Sequence, residues 1–504
     1  MIDLDVILLV GAVVLFLAIL AARLGSGFGL PSLLLFLGLG MLLGQDGPGG
    51  VAFNDADLAH AIGFGALVLI LAEGGLTTKW SEIRPVVGPA IVLATIGIVV
   101  SVALMTAFGY YVLGLDLWVA VLLGAVASPT DAAAVFSVLR RVPLPHRLRG
   151  MLEAESGLND APTVLLVTLA SGLAAGHEAE GGALTIAVLA VLELAGGLVI
   201  GAVMGWLGVQ ILRRVALPSS GLYPLATLGW AVLAYGITAT AHASGFAAVY
   251  VAAVMLGNAQ LPHRAAMRSF VEGIGWIAQI GLFVMLGLLA TPSRVTLSAA
   301  LVGVAAGLFL TFVARPVSVW VSLVWFKIRI REQVFLSWAG LRGAVPIVLA
   351  TVPLADGIEG GLFFFDVVLV FVVVFTCLQA PTLPFLARRL GLTDEEAARD
   401  VEVEAAPLDQ IAADLLQVRV PARSRLAGLE VSELRLPPNT VVSLIIREAS
   451  PFNPAPGERI KIGDELLIVT PTSTRQVAEE RLHDLARGGR LARWRRTAAP
   501  GPTA

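Results

Sequence analysis

Apolar residues run along most of this chain in long stretches separated by short polar breaks, and only near the C-terminus do they shorten and alternate. A helix that crosses a bilayer needs about 20 largely apolar residues. Stretches of that kind lie near 4–22, 28–44, 59–77, 86–112, 117–139, 153–175, 184–212, 222–242, 246–260, 268–290, 297–325, 333–354 and 363–387, with 246–260 the shortest. The pattern predicts an all-α polytopic membrane protein of about 13 transmembrane helices, followed by a small α/β cytosolic domain. The first stretch opens Met1-Ile2-Asp3, without the basic leader or cleavage site of a secretory signal, and is expected to remain as a span.

The loops test this register, because Lys and Arg are retained on the cytoplasmic side. Alternate loops hold Arg23, then Lys79 and Arg84, then Arg140, Arg141, Arg147 and Arg149, and the series continues to Arg388 and Arg389. The intervening loops hold Arg294 alone, together with Asp46, Asp55, Asp57, Glu178, Glu180, Asp356 and Glu359. The alternation predicts a periplasmic N-terminus and a cytoplasmic C-terminus, in an inner membrane.

Residues 1–390 therefore form the expected transmembrane domain, and an acidic linker, 391–413, follows it. Beyond the linker, 416–420, 440–446 and about 466–469 read as strands, the last after a turn at Gly463-Asp464, and 424–434 and 474–487 read as helical. Some 70 residues make a marginal domain, which favours support from a dimer partner. The stretch 481–504 is basic and expected to be a disordered tail.

Composition agrees with the pattern: 57% of the 504 residues are hydrophobic and 14% charged, against roughly a quarter charged in soluble chains, and the mean hydropathy is +0.86. A net charge of −3 excludes a generally basic nucleic-acid binder. The single cysteine, Cys377, lies in an apolar run and reads as a small buried hydrophobe, so neither a disulfide framework nor a cysteine metal site is available. The six histidines show no metal-ligand spacing, and the glycine pairs around Gly38 and Gly25 follow no strand, so they read as close helix packing rather than a dinucleotide loop.

Function then rests on charges inside the spans, each costly there. They are Glu73, Asp131, Glu155, Asp160, Glu193, Arg315 and Arg342. Pro129 in Ser128-Pro129-Thr130-Asp131 predicts a break in the fifth span. Backbone freed at membrane depth is tolerated only where protein or water satisfies it, and there Thr130 and Asp131 offer oxygen ligands; the plainer alternative is a proline kink. In Glu155-Ser156-Gly157-Leu158-Asn159-Asp160, Ser156 and Asp160 share one helical face with Asn159 beside them. Oxygen ligands without His or Cys suit a hard alkali cation, although small polar residues also glue membrane helices together. A buried carboxyl group favours its protonated form and an adjacent cation its ionised form, so Asp160 can hold a proton or a metal ion in competition. Competition of this kind is what an exchanger needs. Arg342, in Gly340-Leu341-Arg342-Gly343 with Pro346 close behind, marks a second break, and Glu155 is its expected structural partner. Glu73 is either a further carboxylate around the ion or a hydrogen-bonded one; Glu193 and Arg315 read as contacts with neighbouring helices or loops.

Together these segments, in this order and spacing, resemble the NhaP-type monovalent cation/proton antiporters over about residues 1–390. The resemblance implies inverted repeats, two discontinuous helices crossing at midplane and a homodimer. By motif match it implies cation and proton binding at Asp160 and Asp131 with Thr130, Ser156, Asn159 and Glu73 nearby, and a structural Glu155–Arg342 pair. The Asn-Asp pair goes, in that family, with electroneutral exchange. Ala132 departs from the proline frequent there, which leaves the position of the break to Pro129. Residues 414–480 resemble the C-terminal half of the regulator-of-potassium-conductance (RCK) module, through Gly428-Leu429, Leu436-Pro437 and Gly463-Asp464-Glu465-Leu466. That likeness implies a regulatory domain, a cyclic dinucleotide or other nucleotide as its ligand, and K⁺ over Na⁺ as cargo. The expected activity is K⁺/H⁺ antiport, with Na⁺/H⁺ antiport as alternative, without a cofactor and in membrane lipid. A ligand-gated channel and an intramembrane hydrolase using Asp131 and Asp160 are the rivals.

Overall fold

The computed structural model describes residues 4–28, 31–139, 142, 144–176, 182–393, 402–408, 413–448, 450–489 and 492. Arg140, Arg141, Glu178, Glu180, part of the expected linker and most of the expected tail lie outside these residues. The chain divides after Leu392 into two compact units.

Each stretch predicted to span the membrane falls on a helix or on a broken pair of helices. In order they are α1 (Leu4–Phe28), α2 (Ser32–Leu43), α3 (Ala56–Thr77), α4 (Trp80–Tyr111), α5 (Leu117–Ala127), α6 (Ala132–Leu139), α7 (His146–Ala174), α8 (Gly182–Arg214), α9 (Leu222–Thr240), α10 (Gly245–Asn258), α11 (Arg264–Leu289), α12 (Leu297–Phe326), α13 (Ile330–Trp338), α14 (Ala344–Ala355) and α15 (Gly361–Arg389). Among the described residues, eight stretches are long and apolar enough to cross a bilayer, the broken α5–α6 run among them, and four shorter apolar helices accompany them. Both expected breaks are present: α5 stops before Ser128-Pro129-Thr130-Asp131, and α13 stops before Ala339 to Gly343. Two π-helical turns interrupt long helices, Leu93–Gly97 in α4 and Leu310–Ala314 in α12. Such turns re-aim the residues that follow them. The first packs on the part of α12 that follows the second, where a methyl group on Gly97 would stand 3.1 Å from Ser322 Oγ.

The lone arginine of the basic-poor loops is neutralised where it stands. Arg294 donates from Nη2 to Asp366 Oδ1 at 2.8 Å and from Nε to Oδ2 at 3.1 Å, and Asp366, in α15, is buried. Beside it the amide and hydroxyl of Ser293 donate to Asp46, at 2.6 and 2.8 Å. These bonds hold the Asp46 carboxyl below its usual range.

The second unit is a five-stranded antiparallel sheet in the order β1-β2-β5-β3-β4: β1 (Glu402–Leu408), β2 (Ala413–Arg419), β3 (Val441–Arg447), β4 (Ser450–Phe452) and β5 (Glu465–Pro471). The helix α16 (Arg475–Gly488) covers one face, its Leu482 and Leu485 packing with Leu416, Val418, Leu466 and Ile468. Three strands fall where alternation placed them. β1 lies inside the stretch expected as a linker and pairs with β2 from Glu402↔Arg419 to Leu408↔Ala413, and α16 carries order to Gly488, into the stretch expected as tail. The helix expected over 424–434 is instead a series of turns ending in the 3-10 turn Val431–Leu434, because Gly428 takes a left-handed φ of 89° that interrupts a helix. Gly463, at φ 85°, makes the expected turn. Asp464 is fully buried there; burial alone would raise its carboxyl, but the guanidinium of Arg447, 2.8 Å away, and the amide of Lys461 hold it below its usual range.

Candidate cation and proton site

The two breaks meet. The amide of Asp131, freed by Pro129 from any helix, donates to Leu341 O in the second break at 2.9 Å. The next freed amide, of Ala132, donates to Ser156 Oγ of α7 at 3.1 Å, and that of Ala134 to Asp131 Oδ1 at 3.1 Å. Asp131 thereby caps α6. Asn159 donates from Nδ2 to Thr130 Oγ1 at 2.9 Å. Five of the residues singled out in the sequence, Thr130, Asp131, Ser156, Asn159 and Asp160, thus gather where both breaks pack on α7.

Within this cluster two acceptors are left over. Asp160 is 9% exposed and Asn159 1%, and Oδ1 of each is buried with no hydrogen-bond partner in the protein. Asn159 cannot turn its amide to relieve this without losing the bond to Thr130. Asp131 is the acid that faces Asp160. Two carboxylates and uncommitted oxygens, with little water to hydrate them, form a ligand set for a hard cation. Pro162, inside α7, lacks the N–H that would bond Leu158 O, so one more carbonyl beside Asp160 is released from the helix.

The glycines of Gly340-Leu341-Arg342-Gly343 are explained by what they let approach. A methyl group on Gly343 would overlap the carboxylate of Asp131, and one on Gly340 would stand 2.8 Å from Arg315 Nε and 3.3 Å from Arg342 Nη1. Gly343→Ala is therefore expected to displace Asp131 and cut transport about 10- to 100-fold, the scale of a misplaced reacting group. Transport rates of the reconstituted variant check this, with Gly74→Ala, a position with open space around it, as control.

The expected Glu155–Arg342 pair is not formed. Glu155, 1% exposed, is held by Arg315, from Nη1 to Oε1 at 2.6 Å and from Nη2 to Oε2 at 3.0 Å. The π-turn Leu310–Ala314 ends immediately before Arg315 and turns it inward, and Gly340 makes room for its stem. Both carboxylate oxygens are then engaged. Arg342, also buried, donates from Nη1 to Gly340 O at 3.1 Å, and its Nε has no partner. Glu73 is not drawn into the cluster by hydrogen bonds either. Its side chain packs on Gly275 of α11, which has no Cβ to oppose it. The backbone carbonyl of Glu193 accepts from Ser244 N across helices at 3.0 Å.

Residues 11–389 match the model of the transmembrane sodium/hydrogen exchanger domain. The chain belongs to the sodium/hydrogen exchanger family. Members of this family are transporters rather than enzymes, which sets aside the hydrolase reading. This exchanger also carries a TrkA-C domain, the RCK C-terminal module, over residues 415–483. It is 38% identical over 410 residues to the K(+)/H(+) antiporter NhaP of Alkalimonas amylolytica, covering 81% of this chain and 70% of the relative. With the K(+)/H(+) antiporter NhaP2 of Shewanella oneidensis it shares 32% over 465 residues, 92% of this chain and 80% of the relative. The Na(+)/H(+) antiporter NhaH of Halobacillus aidingensis is 28% identical over 348 residues, 65% of this chain and 83% of the relative. In fold, this exchanger resembles the sodium proton antiporter MjNhaP1 of Methanocaldococcus jannaschii, with a TM-score of 0.64 at 22% identity over 75% of this chain and all of the other.

Arg315 was undervalued in the sequence, and Tyr250, which packs on Gly157 of α7, and Glu153 were not singled out there. Arg315, inside the 297–325 span, reads only as a contact with a neighbouring helix or loop, and Glu155 is not picked out as its partner unless the π-turn before it is known. Tyr250 stands in the short 246–260 stretch, where an aromatic reads as an interface residue, and Glu153 falls at the edge of the expected sixth span although α7 begins at His146.

Proposed function

We propose that this exchanger moves K⁺, and Na⁺ as a second cargo, against H⁺ across the inner membrane, with cation and proton neutralising Asp160 in turn. The observation that carries the reading is the pair of buried, unpartnered oxygens on Asp160 and Asn159 at the meeting of the two breaks. An ionised Asp160 alone is too costly to carry through a low-dielectric barrier, whereas either guest cancels its charge. The empty site therefore stays and the loaded site crosses. An asparagine at 159 contributes no second titrating charge there, which supports electroneutral exchange. Potassium is favoured by the names of the relatives above 30% identity and by the TrkA-C domain. The periplasmic N-terminus, the homodimer, and a cyclic dinucleotide or other nucleotide at the TrkA-C domain belong to the same proposal, as does Glu73 near the ion path.

Purified protein in liposomes with an internal pH dye tests it. K⁺ and Na⁺ are expected to move protons and choline is not. Each unit of acidification below the pKa of the competing group is expected to raise the apparent KM for K⁺ by about tenfold, the linkage of one proton to one site. A KM indifferent to pH refutes the shared site, and cation flux without proton movement would establish a channel.

A further inference from the structure

The face of α7 that bears Asp160 runs toward the helix N-terminus through Gly157 to Glu153, three and seven positions earlier, which stack along one side of a helix. That end carries Arg147 and Arg149, the side proposed above as cytoplasmic. Across this face lies Tyr250 of α10. A methyl group on Gly157 would overlap its ring and hydroxyl, and a methyl group on Gly75 of α3 would stand 2.9 Å from its backbone carbonyl. Two glycines thus seat one tyrosine between α3 and α7. Tyr250 is 6% exposed. Its hydroxyl is buried with no well-formed hydrogen bond; Thr78 is the hydroxyl within its reach, and Glu153 and Asp160 are the acids that bear on it.

A phenylalanine would fill the same space without burying an unsatisfied hydroxyl, and such a group in a native interior calls for an explanation. The surroundings supply one. A cation approaching Asp160 from this side must exchange its water for protein oxygens, and between the carboxylates of Glu153 and Asp160 the face offers glycine and this phenol. We propose that Tyr250 gates the cytoplasmic approach to Asp160: its ring closes the path, and its hydroxyl is the oxygen that receives the cation between Glu153 and Asp160. This inference rests on the antiporter reading above.

The test uses the full chain in liposomes, wild type first. Tyr250→Phe is expected to raise the KM for K⁺ about 5- to 10-fold, the loss of one oxygen ligand, to change the K⁺ to Na⁺ preference, and to lower the maximal rate much less than it raises KM. Its melting temperature in detergent should stay at the wild-type value. Glu153→Gln should raise KM in the same sense, and Tyr250→Ala should let K⁺ leak without proton movement. An unchanged KM in Tyr250→Phe overturns the proposal, as does a lower maximal rate accompanied only by a lower melting temperature, which would make the residue packing alone. If the wild type shows no cation–proton exchange, the antiporter reading fails and the gate with it. If the wild type exchanges and Asp160→Asn does not, while Tyr250→Phe keeps its KM, only the gate fails.

Discussion

Replacing Asp160 with Asn is expected to abolish cation-driven proton movement while leaving a folded protein. Asn keeps the shape and a carbonyl oxygen in the place of Oδ1, so packing around α7 changes little. What it removes is the charge. A cation stripped of water beside a neutral amide lacks the counter-charge that offsets its desolvation, a deficit of several kcal/mol; at about 1.4 kcal/mol per tenfold, exchange falls by ~100-fold or more. The proton branch fails at the same atom, because an amide does not titrate. Proton release and isotope uptake by the same proteoliposomes should therefore disappear together. Loss of proton movement with retained K⁺ uptake would mean that the two guests use different residues. Asp131→Asn is a less severe lesion by this argument, since Asp131 already gives one oxygen to the Ala134 amide and the Asn side chain can still cap α6.

The two breaks were legible in the sequence because proline and glycine act locally. Pro129 removes a donor, Gly343 admits a carboxylate, and neither effect depends on the rest of the fold. The grouping of Ser156, Asn159 and Asp160 was equally legible, since helical spacing alone puts them side by side. Pairing across helices was not. Three buried charges, Glu155, Arg315 and Arg342, offer two partners for one acid, and no spacing rule ranks residues 160 and 187 positions away. The choice is made by the π-turn before Arg315, one extra residue in a helical turn, for which Leu310–Ala314 gives no compositional sign. The bidentate seat of Arg294 on Asp366 was hidden in the same way: Asp366 stands near a span end and reads as a loop charge until the two sides are seen together. In the small domain the alternation of β2, β3 and β5 was readable, whereas β1 owes its strand to pairing with β2 rather than to its own acidic sequence.

The corrected pairing makes a stability prediction that the expected one reverses. Arg315→Ala leaves the Glu155 carboxyl at 1% exposure with both oxygens stripped of their donors, and removing one partner of a buried pair costs about 3–5 kcal/mol. The variant should melt well below wild type in detergent and give little folded protein. Arg342→Ala removes a guanidinium with a single bond to Gly340 O and an unpartnered Nε, so much of what is lost is its own desolvation cost, and the melting temperature should move far less. Its effect should fall on transport instead, because the bond its side chain gives to Gly340 O braces the second break, next to the Leu341 carbonyl that holds Asp131. The double variant Glu155→Leu/Arg315→Met supplies the internal control. If the single loss is harmful because a charge is stranded, removing both charges should restore much of the stability, since well-packed apolar replacements of buried pairs are often neutral. Thermal unfolding of the three variants in one detergent decides the matter: were Arg342 the true partner of Glu155, Arg342→Ala would be the unstable protein and the Arg315 variants would melt near wild type.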